Sequence, residues 1–134
     1  MKIAIVTGAS SGMGRETAVQ LADRFAGFGE IWLVARREER LSQLEEILPV
    51  PVRKFAIDLT DREQLAELET ALQNEQPDVK ILVNASGYGK MGRVGSVSTE
   101  EETGMVRLNC EALCAVTHMV LPYMSKNSRI IQYA

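Results

Sequence analysis

The chain has 134 residues, 46% hydrophobic and 25% charged, a globular balance that excludes a disordered or fibrous chain. A net charge of −3 at pH 7 with no cluster of lysines and arginines excludes a protein that binds nucleic acid by neutralising phosphates. The start, MKIAIVTGAS, is a poor secretory signal because Gly8 interrupts its apolar run. No apolar segment reaches the ~20 residues of a membrane span, so one cytoplasmic domain over 1–134 with no membrane partner is expected.

Strand and helix patterns alternate along the whole chain. Residues 2–7 are a continuous apolar strand, and Ala18, Leu21, Ala22 and Phe25 recur at helical spacing over 14–25. A second strand over 31–35 precedes a charged helix with Leu41, Leu44 and Leu48 on one stripe, ended by Pro49 and Pro51. Residues 52–57 read as the third strand. Thr60 with Glu63 forms a capping box that opens a helix bearing Leu65, Leu68 and Leu72. The fourth strand over 80–83 leads into a glycine-rich loop, and Thr99 with Glu102 caps a long helix carrying Met105, Leu108, Ala112, Val116 and Met119. Cys110 and Cys114 on that helix are expected to be small buried apolar residues, neither a disulfide nor a metal pair, and no metal site is expected. The β-branched run within 128–134 is the fifth strand. Strands this apolar belong to a parallel sheet covered on both faces and joined by right-handed crossovers. The expected fold class is α/β, a Rossmann-like doubly wound sheet of five strands in the order 3-2-1-4-5 with helices on both faces.

The first strand–helix junction, TGASSGMG, places Gly8, Gly12 and Gly14 around Ser10, Ser11 and Met13. Glycines there allow a tight turn and a close approach to a pyrophosphate, and they leave the N–H groups of a helix N-terminus free to meet its charge. This is a dinucleotide cradle. GYGKMG at 87–92 matches G-x-G-x-x-G literally, but no apolar helix follows it, so it is read as a flexible loop. At the position past the second strand where an acid would hold a ribose hydroxyl stands Ala35, followed by Arg36 and Arg37, which favours NADP(H) over NAD(H), with Arg36 as the 2′-phosphate partner.

The cradle's spacing resembles that of the classical short-chain dehydrogenase/reductase family, and the resemblance covers the entire chain. Asp58, with Leu59, in AIDLTD resembles the family's acid after strand three, which contacts adenine. Asn84, Ala85, Ser86 and Gly87 resemble its Asn-Asn-Ala-Gly motif, Ala85 departing from the second asparagine, and Asn109 in MVRLNCEAL falls where the family keeps a helical asparagine of its catalytic tetrad. The resemblance implies an NADP(H)-dependent oxidoreductase that moves hydride between nicotinamide and an alcohol or carbonyl carbon. Family members are roughly twice as long, with a serine at the end of strand five and a Tyr-x-x-x-Lys pair beyond it; the chain is therefore expected to be a truncated member in which Asn109 is the only tetrad residue. Tyr123 and Lys126 are spaced three apart and His118 lies on the long helix; none is expected to replace the missing groups.

Two readings follow. The 134 residues are the cofactor-binding part of such an enzyme, or a catalytically inactive nucleotide-binding or self-associating fragment. In the family the long helix packs beside the next helix, which in many members also builds a four-helix dimer interface. With strand five at an edge and Met105, Leu113, Val116, Met119 and Val120 on an uncovered helix, a homodimer or higher oligomer formed through residues 100–134 is expected.

Overall fold

The apolar runs become five parallel strands: β1 (Lys2–Thr7), β2 (Glu30–Ala35), β3 (Val52–Ala56), β4 (Asp78–Asn84) and β5 (Arg129–Gln132). They stand side by side as β3-β2-β1-β4-β5 in a computed structural model that describes residues 1–133. The expected fifth-strand segment ends on Ala134, which lies outside the described residues. Ile5 of β1 sits in register with Trp32 of β2 and Leu82 of β4, and all three are fully buried. Burying each such side chain stabilises the fold by about 1.5–3 kcal/mol, which is why these central strands are apolar on both faces.

Alternation along β1 divides the core in two. Ile3 and Ile5 pack with Leu68 and Leu72 of α3 (Arg62–Glu75) and with Val116 and Val120 of a long helical stretch near the C-terminus. Ala4 and Val6 pack on the other face with Ala18 and Leu21 of α1 (Gly12–Arg24) and Leu41 and Leu44 of α2 (Glu38–Ile47). Helices therefore cover both faces of a doubly wound sheet. Arg53 on the outer strand β3 lays its guanidinium 5.0 Å from the Trp32 ring centroid and 5.2 Å from that of Phe55, and pairs with Glu75 of α3.

Several expectations need correction. Asp61, not Thr60, caps α3: its carboxylate accepts from the N–H groups of Glu63 at 3.0 Å and Gln64 at 3.4 Å. Thr60 turns back and donates its hydroxyl to Asp58. Likewise Ser98, not Thr99, caps α4 (Thr99–Val106), accepting from the Glu101 N–H at 3.2 Å. In both cases the true cap adjoins the expected residue, because short oxygen-bearing side chains follow one another and only the backbone decides which is extended.

The long helix is not uniform. After α4 it passes through a π-helical segment, Arg107–Ala112, before resuming as α5 (Leu113–Val120) and ending in a 3-10 turn, Leu121–Tyr123. Val116 and Val120, expected on an exposed patch, point into the core, whereas Cys110 and Cys114, expected to be buried, are exposed. Ala112, Val116 and Val120 recur every four residues on the sheet side, and Cys110 and Cys114, each two residues from Ala112 and so about 200° around the helix, meet solvent. β5, apolar enough for a sheet interior, is the outer strand; Arg129, Ile130 and Gln132 are exposed. Among the described residues no helix is long and apolar enough to cross a membrane.

The caps can be checked by urea unfolding. Asp61→Ala should cost about 0.5–2 kcal/mol, and Ser98→Ala should cost more than Thr99→Ala, whose hydroxyl caps nothing. Equal effects at Ser98 and Thr99 would contradict the assignment.

Candidate functional site

The turn leaving β1 is pressed between its neighbours. Gly8 has φ +66, and a Cβ there would lie 2.5 Å from the backbone carbonyl carbon and oxygen of Ala85. A Cβ on Gly14 would collide with the carbonyl of Gly8. Thr7 Oγ1 accepts the Ala85 N–H at 3.2 Å and the Ala9 N–H donates to the Val34 carbonyl at 3.3 Å, so the turn is fastened to β4 on one side and β2 on the other. Gly12, with φ +57, meets nothing within 4 Å and leaves the floor open. At the N-terminus of α1, Ser11 makes no side-chain cap, which leaves the first-turn N–H groups for a ligand.

Above this turn, past the C-terminal ends of β1 to β4, lies a cavity of about 480 Å³. This is where open α/β sheets bind ligands, at the point where the strand order reverses between β1 and β4. Gly8, Ser10, Ser11, Gly12 and Met13 line it from the turn, and Arg36 from the end of β2. Asp58 and Leu59 line it beyond β3, and Ala85, Ser86 and Gly87 beyond β4. A missing side chain at the turn and free N–H groups at a helix start suit an elongated anion such as a pyrophosphate, and no Cβ at Gly8 or Gly14 stands in its way.

Three expected residues do not reach the cavity wall. Gly14 serves helix packing instead. Asn84 is 3% exposed and donates Nδ2 to Thr117 Oγ1 at 3.0 Å, tying β4 to α5. Asn109, inside the π segment, holds both ends of one residue: its Oδ1 accepts the Tyr88 N–H at 2.9 Å and its Nδ2 donates to the Tyr88 carbonyl at 2.8 Å. A Cβ on Gly87 would lie 2.8 Å from that Oδ1, so the clamp needs the glycine. Tyr88, Gly104, Arg107 and Leu108 complete the wall, and the sequence reading named none of them as site residues apart from their helical or loop pattern. Arg37 and Thr60 also line it. The signal that could have found Arg107 was its place two residues before Asn109 on the same helix.

A family model described as short chain dehydrogenase matches residues 2–134. An uncharacterised oxidoreductase of Staphylococcus epidermidis is 30% identical over 127 residues, covering 95% of this chain and 54% of the relative. Among solved structures, a short-chain dehydrogenase from Sphingobium yanoikuyae in complex with NADPH superposes with a TM-score of 0.77 at 31% identity, covering 91% of this chain and 48% of that one. An L-sorbose reductase from Gluconobacter frateurii, complexed with NADPH and L-sorbose, has a TM-score of 0.78 at 27% identity and covers 91% and 47%. The chain spans about half the length of the curated relatives it matches.

The one carboxylate in the cavity wall is tuned. Burial works to raise the Asp58 carboxyl, but hydrogen bonds from the Thr60 hydroxyl at 2.7 Å and N–H at 2.9 Å, with Arg36 nearby, outweigh it and hold the pKa below its ordinary value. The unfolded chain therefore binds the proton more readily, and stability rises with pH across this titration. The contribution is complete above the ordinary aspartate value of 3.8 and drains away as pH falls through the folded value. Urea midpoints measured from about pH 5 down to about pH 3 should fall less steeply for Asp58→Asn than for the parent chain. Parallel curves would show that Asp58 is not linked to folding.

Proposed function

Because the chain belongs to the short chain dehydrogenase family, we propose that its 134 residues are one NADP(H)-binding domain of a cytoplasmic oxidoreductase acting on an alcohol or carbonyl carbon. The observation that carries this reading is the cavity itself: a glycine turn and an uncapped helix start form the floor, with Arg36 and Arg37 on the β2 side and Asp58 on the β3 side. The N–H groups at the start of α1 would hold the pyrophosphate, and Gly8 and Gly12 let it approach. Arg36 would pair with the 2′-phosphate; no acid stands at Ala35, Arg36 or Arg37 to repel it. The second oxygen of Asp58, which Thr60 does not use, is left for a donor on the adenine. Ala85, Ser86 and Gly87 border the end of the cavity nearest β4, where a nicotinamide would lie. The complexes with NADPH among the structural relatives support the phosphorylated cofactor.

A dinucleotide bound there supplies the hydride. The family's acid–base pair is not among these 134 residues, which contain no Tyr-x-x-x-Lys, so what this chain contributes is binding and orientation. Asn109, the position matching the family's tetrad asparagine, acts here by fixing the backbone of Tyr88 at the cavity rim.

Calorimetric titration tests the cofactor. NADPH should bind more tightly than NADH, and Arg36→Ala should weaken NADPH by about tenfold or more while leaving NADH unchanged, as expected for a lost hydrogen bond between charged groups. Equal affinity for the two dinucleotides, or no effect of Arg36→Ala, would overturn the assignment.

A second observation favours self-association of the 134-residue chain. β5 is one of the two edge strands, and Ile130 on it is 39% exposed and Leu121 before it 56% exposed. Strand edges of this kind recruit a further chain. Light scattering at micromolar concentration should give a mass above the monomer, which Ile130→Lys should reduce. A monomeric mass unchanged by that substitution would remove the idea.

A further inference from the structure

We propose that Arg107 is a binding residue for the adenosine half of the dinucleotide, its guanidinium plane lying on the purine face across from Leu59. The inference rests on the dinucleotide reading above and adds a contact to it. Arg107 reaches the cavity from the opposite helical layer to Arg36 and Arg37: those two follow β2 toward α2, whereas Arg107 opens the π segment on the α3 and α5 side. It shares its stretch of wall with Leu59 and Thr60, and the same three residues border a smaller recess of about 160 Å³ immediately beside the cavity. A flat ring resting on Leu59 would therefore lie within reach of Arg107.

The side chain is also free to do this. Glu111, one helical turn further on, is the natural ion-pair partner for Arg107, yet it pairs with Arg62 of α3 at 3.7 Å. Among the described residues Arg107 has no ion pair. Gly104, three residues earlier, has no side chain to enter the cavity, and the Tyr88 hydroxyl occupies the space that a Cβ there would take. An unpaired guanidinium stacks on aromatic faces as well as pairing with anions, and nucleobases offer such a face whatever the phosphate pattern of the ribose. Purine stacking thus separates the role of Arg107 from that of Arg36: one should discriminate NADP(H) from NAD(H), and the other should not.

The test is calorimetric titration of the 134-residue chain and its Arg107→Ala, Arg107→Lys and Arg36→Ala variants with NADPH, NADH and ADP-ribose, each variant first checked for an unchanged circular dichroism spectrum and thermal midpoint. Arg107 is exposed, so folding should be unaffected. Arg107→Ala should weaken all three ligands by a common factor of about five to thirty, and lysine, which keeps the charge but not the plane, should recover little of it. Unchanged affinities for Arg107→Ala, a loss confined to NADPH, or full rescue by lysine would each overturn the stacking role while leaving the dinucleotide reading standing. Parent chain that binds none of the three ligands would overturn that reading, and the role of Arg107 with it.

Discussion

Three stretches of backbone meet beneath the cavity with no side chain between them, and the geometry of everything above follows from that contact. Gly8 lies against the carbonyl of Ala85, and Gly14 against the carbonyl of Gly8 itself. A methyl group at either place would have to displace main chain, which close-packed interiors resist. The contact fixes where α1 starts relative to β1 and β4. It therefore fixes where uncapped N–H groups meet the cavity, and the Thr7–Ala85 hydrogen bond locks the same junction from the side. The floor of the site is made of main chain, with the Thr7 hydroxyl as the side-chain fastening at this junction.

The walls are built differently. Each comes from a separate element, and each is held by a short local network: Thr60 and Gln64 orient the Asp58 turn, and Asn109 fixes Tyr88. Charge is also distributed unevenly. Three arginines, Arg36, Arg37 and Arg107, face one aspartate across the lining, so the cavity of an acidic protein is locally cationic. Such a concentration of one sign in a concave site attracts anions well beyond contact distance, and the arginines, standing in two different helical layers, act on it from both sides.

The sheet was legible in the sequence because its central strands are buried on both faces, and residues such as Ile3 to Val6 and Ile31 to Val34 have no polar alternation to confuse with a helix. The cradle was legible because glycine is the residue type that its backbone contacts tolerate. What failed was local phase. Asp61 and Ser98 took the caps expected of Thr60 and Thr99, since neighbouring residues of similar chemistry differ only in φ and ψ. The exposure of Cys110 and Cys114 follows from ordinary helical spacing, since each lies two residues from buried Ala112. The π segment at Arg107–Ala112 is what periodicity at 3.6 residues per turn does not register.

That segment gives the long helix two independent clocks. A π turn amounts to one extra residue inside an α-helix, and each residue of an α-helix advances the direction of its side chains by about 100°. Deleting a single residue between 107 and 112 would restore an unbroken α-helix and rotate α4 by roughly that angle against α5. Val116 and Val120 could keep their seats on the sheet while the wall residues of the preceding turns swung away from the cavity. The cavity wall and the core contacts on this helix are thus set by two phases one residue apart, joined at Leu108, which lines the cavity and also packs against the core.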